Sequence, residues 1–301
     1  MNWLNGIQAD IRRKEPLALH TSFHIGGPAE LFVQPRDVRA LQRFLARCVR
    51  RRIPVRVIGA GSNILVGDRG VKGAVICLSA PAFGRIRRNR GGLSVGAGLR
   101  LNRLIGYCMP RGLSGAEYLA GIPGTIGGAV KTNAGVAVKH DRRVSNHWIG
   151  DLVESLTIMD YNGAIKRLRR PDLRFGYRCS CLPAGIILAV SLRLSARTPG
   201  AIRRTVAELM SRRSRTQAAH QPSAGCVFKN PPQQGAGALI DRCGLKGARC
   251  GDACVSPLHA NFIVNLGQAR AVDVLALMRR ARAAVKKKFH LALEPEIHIW
   301  E

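Results

Sequence analysis

The stretch Pro54-Val-Arg-Val-Ile-Gly-Ala-Gly-Ser-Asn-Ile-Leu-Val66 decides the fold. Pro54 to Ile58 reads as a strand, Gly59-Ala60-Gly61-Ser62-Asn63 as a loop of small residues, and Ile64-Leu-Val66 as a second strand. A dinucleotide fingerprint needs G-x-G-x-x-G opening a long helix. Here Ile64 occupies the third glycine position, and Gly67-Asp68-Arg69-Gly70 turns the chain again. The pattern fails as a Rossmann loop and fits a phosphate cradle between two strands. Its small residues let backbone N–H groups approach an anion, with Ser62 and Asn63 as added donors. A tight structural turn would use the same residues.

A second glycine-rich piece lies downstream, from Gly115 to Gly135, with six glycines in 21 residues. A flexible linker of that glycine content would be polar. This one carries Leu119, Ile122, Ile126 and Val130, so its backbone packs against a ligand or against other backbone. We read it as a second anion-facing loop.

Around these loops the pattern is mixed α and β. Ala29 to Val33 reads as a strand after the turn Gly26-Gly27-Pro28. From Pro35, the residues Val38, Leu41, Leu45, Cys48 and Val49 recur at helical spacing. Asp37 stands in the first turn, where a negative charge suits the dipole. Val71 to Leu78 is a strand. Leu93 to Gly98 is another, leading into a helix with Leu101, Leu104, Ile105 and Cys108 on one face. Leu152 to Met159 and Ala164 to Leu168 form a hairpin, with Asn162-Gly163 as a type I′ signal. Ile186 to Leu194 alternates as a strand. Pro199-Gly200 opens a helix with Ile202, Val206, Leu209 and Met210 on its apolar face. Gly-rich turns follow at 235–237, then Leu239 to Asp241. Asn261 to Leu266 is a strand. Ala271 to Phe289 is a helix with Val274, Leu277, Met278, Ala281, Val285 and Phe289 in one stripe. The tail Leu293 to Trp300 reads as a strand with Ile297 and Ile299 on one side and Glu296, His298 and Trp300 on the other.

The 301 residues suggest two or three domains, and a 46% hydrophobic content can fill their cores. No apolar run approaches a membrane span. Residues 1–10 lack a basic segment followed by an apolar one, which predicts a cytoplasmic protein. The nine cysteines are scattered. Cys48, Cys77 and Cys108 read as core, Cys179 and Cys181 form a C-x-C, and no paired C-x-x-C suggests zinc. Reduced thiols fit a cytosolic protein. The net charge of +30, from 48 Lys and Arg against 18 Asp and Glu, attracts anions without choosing among them. The runs Arg47 to Arg56, Arg85 to Arg90, Arg203 to Arg215 and Arg279 to Lys288 read mostly as solvated helix faces.

The chemistry falls on Gln221-Pro-Ser-Ala-Gly-Cys-Val-Phe-Lys-Asn-Pro231. A turn delivers Cys226 to the start of a short strand-like run, Val227-Phe228. Lys229 and Asn230 follow, and Pro231-Pro232 ends the run. By itself Cys226 also suits a small buried hydrophobe.

Taken together, the segments Thr21-Ser-Phe-His-Ile-Gly-Gly27, Val57 to Leu65, Gly121-Ile-Pro-Gly-Thr-Ile-Gly-Gly-Ala-Val130, Asn133-Ala-Gly135, Tyr177-Arg178, Ser223 to Pro231, Leu239-Ile-Asp241, Gly244-Leu-Lys-Gly247 and Leu293-Glu-Pro-Glu296 resemble one family. It is the UDP-N-acetylenolpyruvoylglucosamine reductases, flavoenzymes of bacterial peptidoglycan synthesis. The motifs run in the family's order from about residue 20 to the end of the sequence. The resemblance implies a mixed α/β and α+β fold: a two-part FAD-binding domain of the vanillyl-alcohol oxidase type and a C-terminal substrate domain. The divisions would be 1–80, 81–198 and 199–301, with FAD bound within about 24–194. It also implies non-covalent FAD, NADPH as co-substrate, a UDP-sugar enolpyruvyl ether as substrate, no metal, no membrane insertion, no specific nucleic acid and a monomer. Carried over residue by residue, Arg178 and Glu296 would polarise and stabilise the enolpyruvyl group, and Cys226 would donate the final proton. Gly59, Ala60, Gly61, Ser62, Asn63, Gly121, Ile122, Pro123, Gly124, Gly127, Gly128, Asn133, Ala134 and Gly135 would hold FAD. Tyr177, Arg178, Lys229 and Asn230 would meet the substrate.

This sequence departs from the family pattern at Cys226, where many members carry serine; a thiol, with a reference pKa of about 8.5, is the stronger acid. The chain looks like the family's shorter form, lacking a long insertion between the middle and last domains. Two other readings stay open on sequence alone. One is an oxidase of the same fold, against which no histidine stands out as a covalent flavin anchor. The other is a basic nucleic-acid-binding protein, which the 5% aromatic content does not favour.

Overall fold

The computed structural model describes residues 2–89, 91–140, 143–218, 221–232 and 234–301. The chain folds into two compact units whose segments interleave along the sequence. One comprises 1–12, 31–59 and 73–211; the other comprises 13–30, 60–72 and 212–301.

The first unit contains a five-stranded antiparallel sheet in the order Ile165–Arg169, Val153–Met159, Ile186–Arg193, Gly92–Gly96, Ile86–Asn89. Ile186–Arg193 alternates buried and half-buried residues, as a strand covered on one face must. Helices Leu101–Cys108 and Ile126–Lys131 pack Leu101, Leu104, Ile126 and Val130 onto Leu93, Val95, Val190 and Leu192. Helix Val38–Arg50 adds a second cluster through Leu41, Phe44 and Leu45, against Val33, Ala74 and Ile76. Asp37 is the N-cap of this helix, its carboxylate accepting from the Ala40 amide at 2.8 Å. Val55–Ile58 pairs in parallel with Val71–Cys77, from Val55 opposite Ala74 to Ile58 opposite Cys77.

In the second unit, helix Ala271–Phe289 buries Val274, Leu277, Met278, Ala281 and Val285 with Phe228, Leu239, Ile240 and Val255. The three-stranded sheet Arg249–Cys250, Ala253–Val255, Ile263–Asn265 lies with it. His298–Trp300 pairs in parallel with Ile64–Val66.

Several sequence expectations change. The 160–164 turn is not type I′, because only Gly163 has positive φ, at +90°. Instead the Asp160 carboxylate accepts from the amides of Asn162 and Ala164, both at 2.9 Å, and organises the turn locally. Residues 235–237 are not a run of turns: helix Ala236–Arg242 includes Gly237, where the His259 ring leaves no room for a Cβ (2.9 Å). The tail is a strand only over His298–Trp300, and Ile299 is 38% exposed while Ile297 is buried. Pro295 cannot donate to a ladder, and residues 294–296 bond instead to 227–229. The strand expected from Asn261 covers only Ile263–Asn265. Val49 and Met210, assigned to apolar stripes, are solvent-exposed, and Cys77 is half-buried.

Arg50, Arg203, Arg204, Arg279, Arg280, Arg282 and Lys286 are exposed on helix faces, whereas Arg47 and Arg56 are half-buried and the exposed Arg87 and Arg88 lie on strand Ile86–Asn89. Arg90 lies outside the described residues. No helix among the described residues is long and apolar enough to cross a membrane.

Candidate active site

The segment carrying Cys226 is held from both sides without being a strand. Its ladder contacts are two isolated antiparallel bridges, Cys226 with Phe262 and Phe228 with Pro295. On one side, the Val227 amide donates to Asn261 O at 2.9 Å. The Asn261 side chain accepts from Phe228 N at 3.0 Å and donates to Phe228 O at 2.8 Å. On the other side, Glu296 N donates to Val227 O and Lys229 N to Glu294 O, both at 2.9 Å. Val227 and Phe228 are each 1% exposed and anchor the segment in the core. Gly225, with φ +77°, makes the turn that precedes Cys226.

This network places Cys226 and Glu296 on adjacent hydrogen-bonded segments. Both are half-buried. Cys226 packs on Ala218, Cys254, Phe262 and Val264. Glu296 is tied through its carbonyl, which accepts from Asn63 Nδ2 at 3.2 Å. Lys229 forms an ion pair with Glu294, and Asn230 Oδ1 accepts from the Ala236 amide at 2.9 Å at the start of helix Ala236–Arg242. In this state the Asn230 oxygen serves the protein, and the Lys229 ammonium has an exposed carboxylate partner that water or a ligand can replace.

Within the first unit, Gly59 approaches the second glycine-rich loop at Thr125. A Cβ at Gly59 would lie 2.6 Å from Thr125 Oγ1, so only glycine permits that approach. Thr125 caps helix Ile126–Lys131, accepting from Gly128 N at 3.4 Å. Gly127 packs on Ala97, whose carbonyl takes the Gly127 amide at 2.8 Å. In the second unit, a Cβ at Gly61, φ +62°, would lie 2.1 Å from His20 O. Gly121 and Gly128 are exposed, and Gly59, Ala60, Ser62, Ile122 and Gly124 are half-buried. Accessible glycine backbone without side chains suits a diphosphate-bearing cofactor such as FAD. Thr125 was not among the expected residues, although Thr followed by Ile-Gly-Gly is a readable N-cap.

Arg178 occupies the turn of a short hairpin, Phe175–Gly176 with Cys179–Ser180. Its backbone is left-handed, φ +53°. The guanidinium donates to Gly135 O at 3.3 Å and lies 5.4 Å from the Trp148 ring centroid and 5.7 Å from that of Tyr177. Trp148 and Tyr177 meet edge to face at 6.1 Å. Tyr177 is 44% exposed and accessible to a ligand. The Asn133 side chain is directed into the protein, bonding Gly176 O and Gly150 N. Ala134 is buried, and Gly135 faces Trp148 where a Cβ would lie 2.5 Å from the ring. Trp148 and Asn261 carried no local sequence signal. Among the described residues, no group of three metal-ligating side chains occurs.

Burial pushes the Cys48 and Cys108 thiols up to about 12. The His259 imidazole, packed on Phe262 at 5.0 Å, is held below the usual histidine range by burial.

Comparison with known proteins finds two domain matches along the chain. Residues 29–169 match the FAD binding domain, and residues 217–300 match the UDP-N-acetylenolpyruvoylglucosamine reductase C-terminal domain. A UDP-N-acetylenolpyruvoylglucosamine reductase of Syntrophobacter fumaroxidans is 44% identical, covering 95% of this chain and 82% of its own. One from Symbiobacterium thermophilum is 41% identical, covering 96% and 92%. The crystal structure of the reductase from Thermus caldophilus superposes with a TM-score of 0.81 at 40% identity, covering 97% and 99%.

Proposed function

This chain belongs to the UDP-N-acetylenolpyruvoylglucosamine reductase family, and from that premise we propose that Arg178, Cys226 and Glu296 carry its chemistry. The protein is an FAD-dependent oxidoreductase that reduces the enolpyruvyl ether of a UDP-sugar to UDP-N-acetylmuramate, with NADPH as co-substrate, in peptidoglycan precursor synthesis. FAD, when bound, supplies the hydride relay from NADPH to the β carbon of the enolpyruvyl group.

Arg178 grips the substrate carboxylate through its fixed planar fork and offsets the charge that develops there. Glu296 polarises the enolpyruvyl group. Cys226 gives its thiol proton to the α carbon, leaving a thiolate that water reprotonates. The observation that supports this reading is the bond between Glu296 N and Val227 O, which pairs the segment of Glu296 with the one that carries Cys226. Residues 59–63, 121–124 and 127–128 would hold FAD, and Tyr177, Lys229 and Asn230 would meet the UDP-sugar. We divide the chain functionally at 1–80, 81–198 and 199–301. The nine free thiols support a reducing, cytoplasmic setting. The active species is a monomer, which sedimentation tests.

The purified protein should absorb as a flavoprotein, bleach with NADPH without oxygen, and recolour on adding the UDP-enolpyruvyl sugar. Cys226→Ala should bleach but fail to recolour with substrate. Unchanged turnover in that variant removes Cys226 from the mechanism, and recolouring by oxygen alone would favour an oxidase.

A further inference from the structure

Asn133 was expected beside the cofactor, yet its side chain is engaged elsewhere. It is 3% exposed with a left-handed backbone, φ +45°. Its Nδ2 donates to Gly176 O at 2.8 Å, and its Oδ1 accepts from Gly150 N at 3.0 Å. Gly150 has no room for a Cβ, which would lie 2.6 Å from that Oδ1 and 2.7 Å from the Phe175 ring. The amide therefore bridges two backbones packed directly on it.

One of these backbones carries Arg178. The hairpin 175–180 has two residues in each strand, too little to hold its own shape in water. Three hydrogen bonds tie it to residues 131–135. Gly176 is held by Asn133, Ser180 Oγ donates to Lys131 O at 2.7 Å, and the Arg178 guanidinium donates to Gly135 O. Of these residues in 131–135, only Asn133 contributes a side chain, so only this fastening disappears on substitution there. The left-handed backbone of Asn133 aims that side chain, and asparagine tolerates the conformation better than most residues.

We infer that Asn133 is a positioning residue for Arg178, clamping the first strand of the Tyr177-Arg178 hairpin so that the guanidinium meets the substrate carboxylate. The inference rests on the role given to Arg178 above. It separates the two half-reactions. Reduction of the flavin by NADPH involves no enolpyruvyl carboxylate; reoxidation by the UDP-enolpyruvyl sugar does.

The test uses two holoenzyme variants. Asn133→Gly keeps the left-handed backbone without strain and deletes the amide. Asn133→Asp is nearly isosteric and keeps the acceptor for Gly150 N, but it cannot donate to Gly176 O. Both should retain wild-type flavin content and bleach with NADPH at close to the wild-type rate. Both should reoxidise with substrate roughly 10- to 100-fold more slowly, since a misplacement of about 1 Å costs about that much. A side chain with a merely structural role would not divide the half-reactions in this way. Wild-type reoxidation in both variants, with Arg178→Ala slow, overturns the inference. So does loss of flavin from both, which would return Asn133 to the cofactor. If Arg178→Ala itself reoxidises normally, the role of Arg178 fails first and the inference falls with it.

Discussion

Asn261→Ala should destabilise the protein more than any nearby surface change, for a reason visible in two bonds. Asn261 and Phe228 are each 1% exposed, and the side chain of the first satisfies both backbone groups of the second, at 3.0 and 2.8 Å. Truncation leaves a buried N–H and a buried C=O without partners. Each orphaned group costs about 1–3 kcal/mol, so the pair costs about 2–6 kcal/mol. That is a large share of a stability on the order of 5–15 kcal/mol. At roughly 2 °C per kcal/mol for a chain of this size, the melting temperature should fall by about 4–12 °C. The assay is thermal unfolding of the holoenzyme followed by far-UV circular dichroism. Asn261→Asp keeps the acceptor for Phe228 N and loses the donor to Phe228 O, so it should also melt early. Because Phe228 lies two residues after Cys226, substrate-dependent recolouring should slow in both. Melting within about 1 °C of wild type in both variants would refute the reasoning, since it would mean that the bonds are not made or that water replaces them at no cost.

Gly59→Ala should lower the flavin-to-protein ratio of the purified enzyme, because its methyl would lie 2.6 Å from Thr125 Oγ1 and push residue 59 away from Thr125. Adding Thr125→Ala should restore part of it, and an unaltered ratio in Gly59→Ala would separate this contact from cofactor binding. A thiol reagent at pH 8 should label exposed Cys179 and Cys181 in the native protein and leave Cys48 and Cys108 unlabelled until unfolding, which mass spectrometry of the labelled peptides reads directly. The same burial has a pH signature. A raised folded-state pKa gives stability that is complete below the unfolded thiol value of about 8.5 and lost as pH rises through the folded value of about 12. Alkaline unfolding should therefore move to higher pH in Cys108→Ala if cavity formation is matched by a neutral-pH control.

The period of the sequence was enough for the elements that bury one face. Helix Ala271–Phe289 and strands Val55–Ile58, Ile64–Val66 and Ile186–Arg193 stand within a residue or two of where the apolar spacing puts them. This is because a helix or strand covered on one side imposes its own repeat. The motif order likewise revealed the family, and with it FAD, the substrate class and the candidate trio. What the sequence could not supply was the partner of each polar group. Asn133 and Asn261 look like any other asparagines in the sequence. Their roles follow only from the backbone that folding brings to them, Gly176 and Gly150 for one and Phe228 for the other. The same holds where period misled: Ile299 alternates correctly but faces solvent, and Gly237 lies within a helix with the His259 ring packed against it. Local spacing encodes which side of an element is apolar. Which distant segment satisfies a buried amide is set by tertiary packing, and that packing is what fixes Cys226, Glu296 and Arg178 in place.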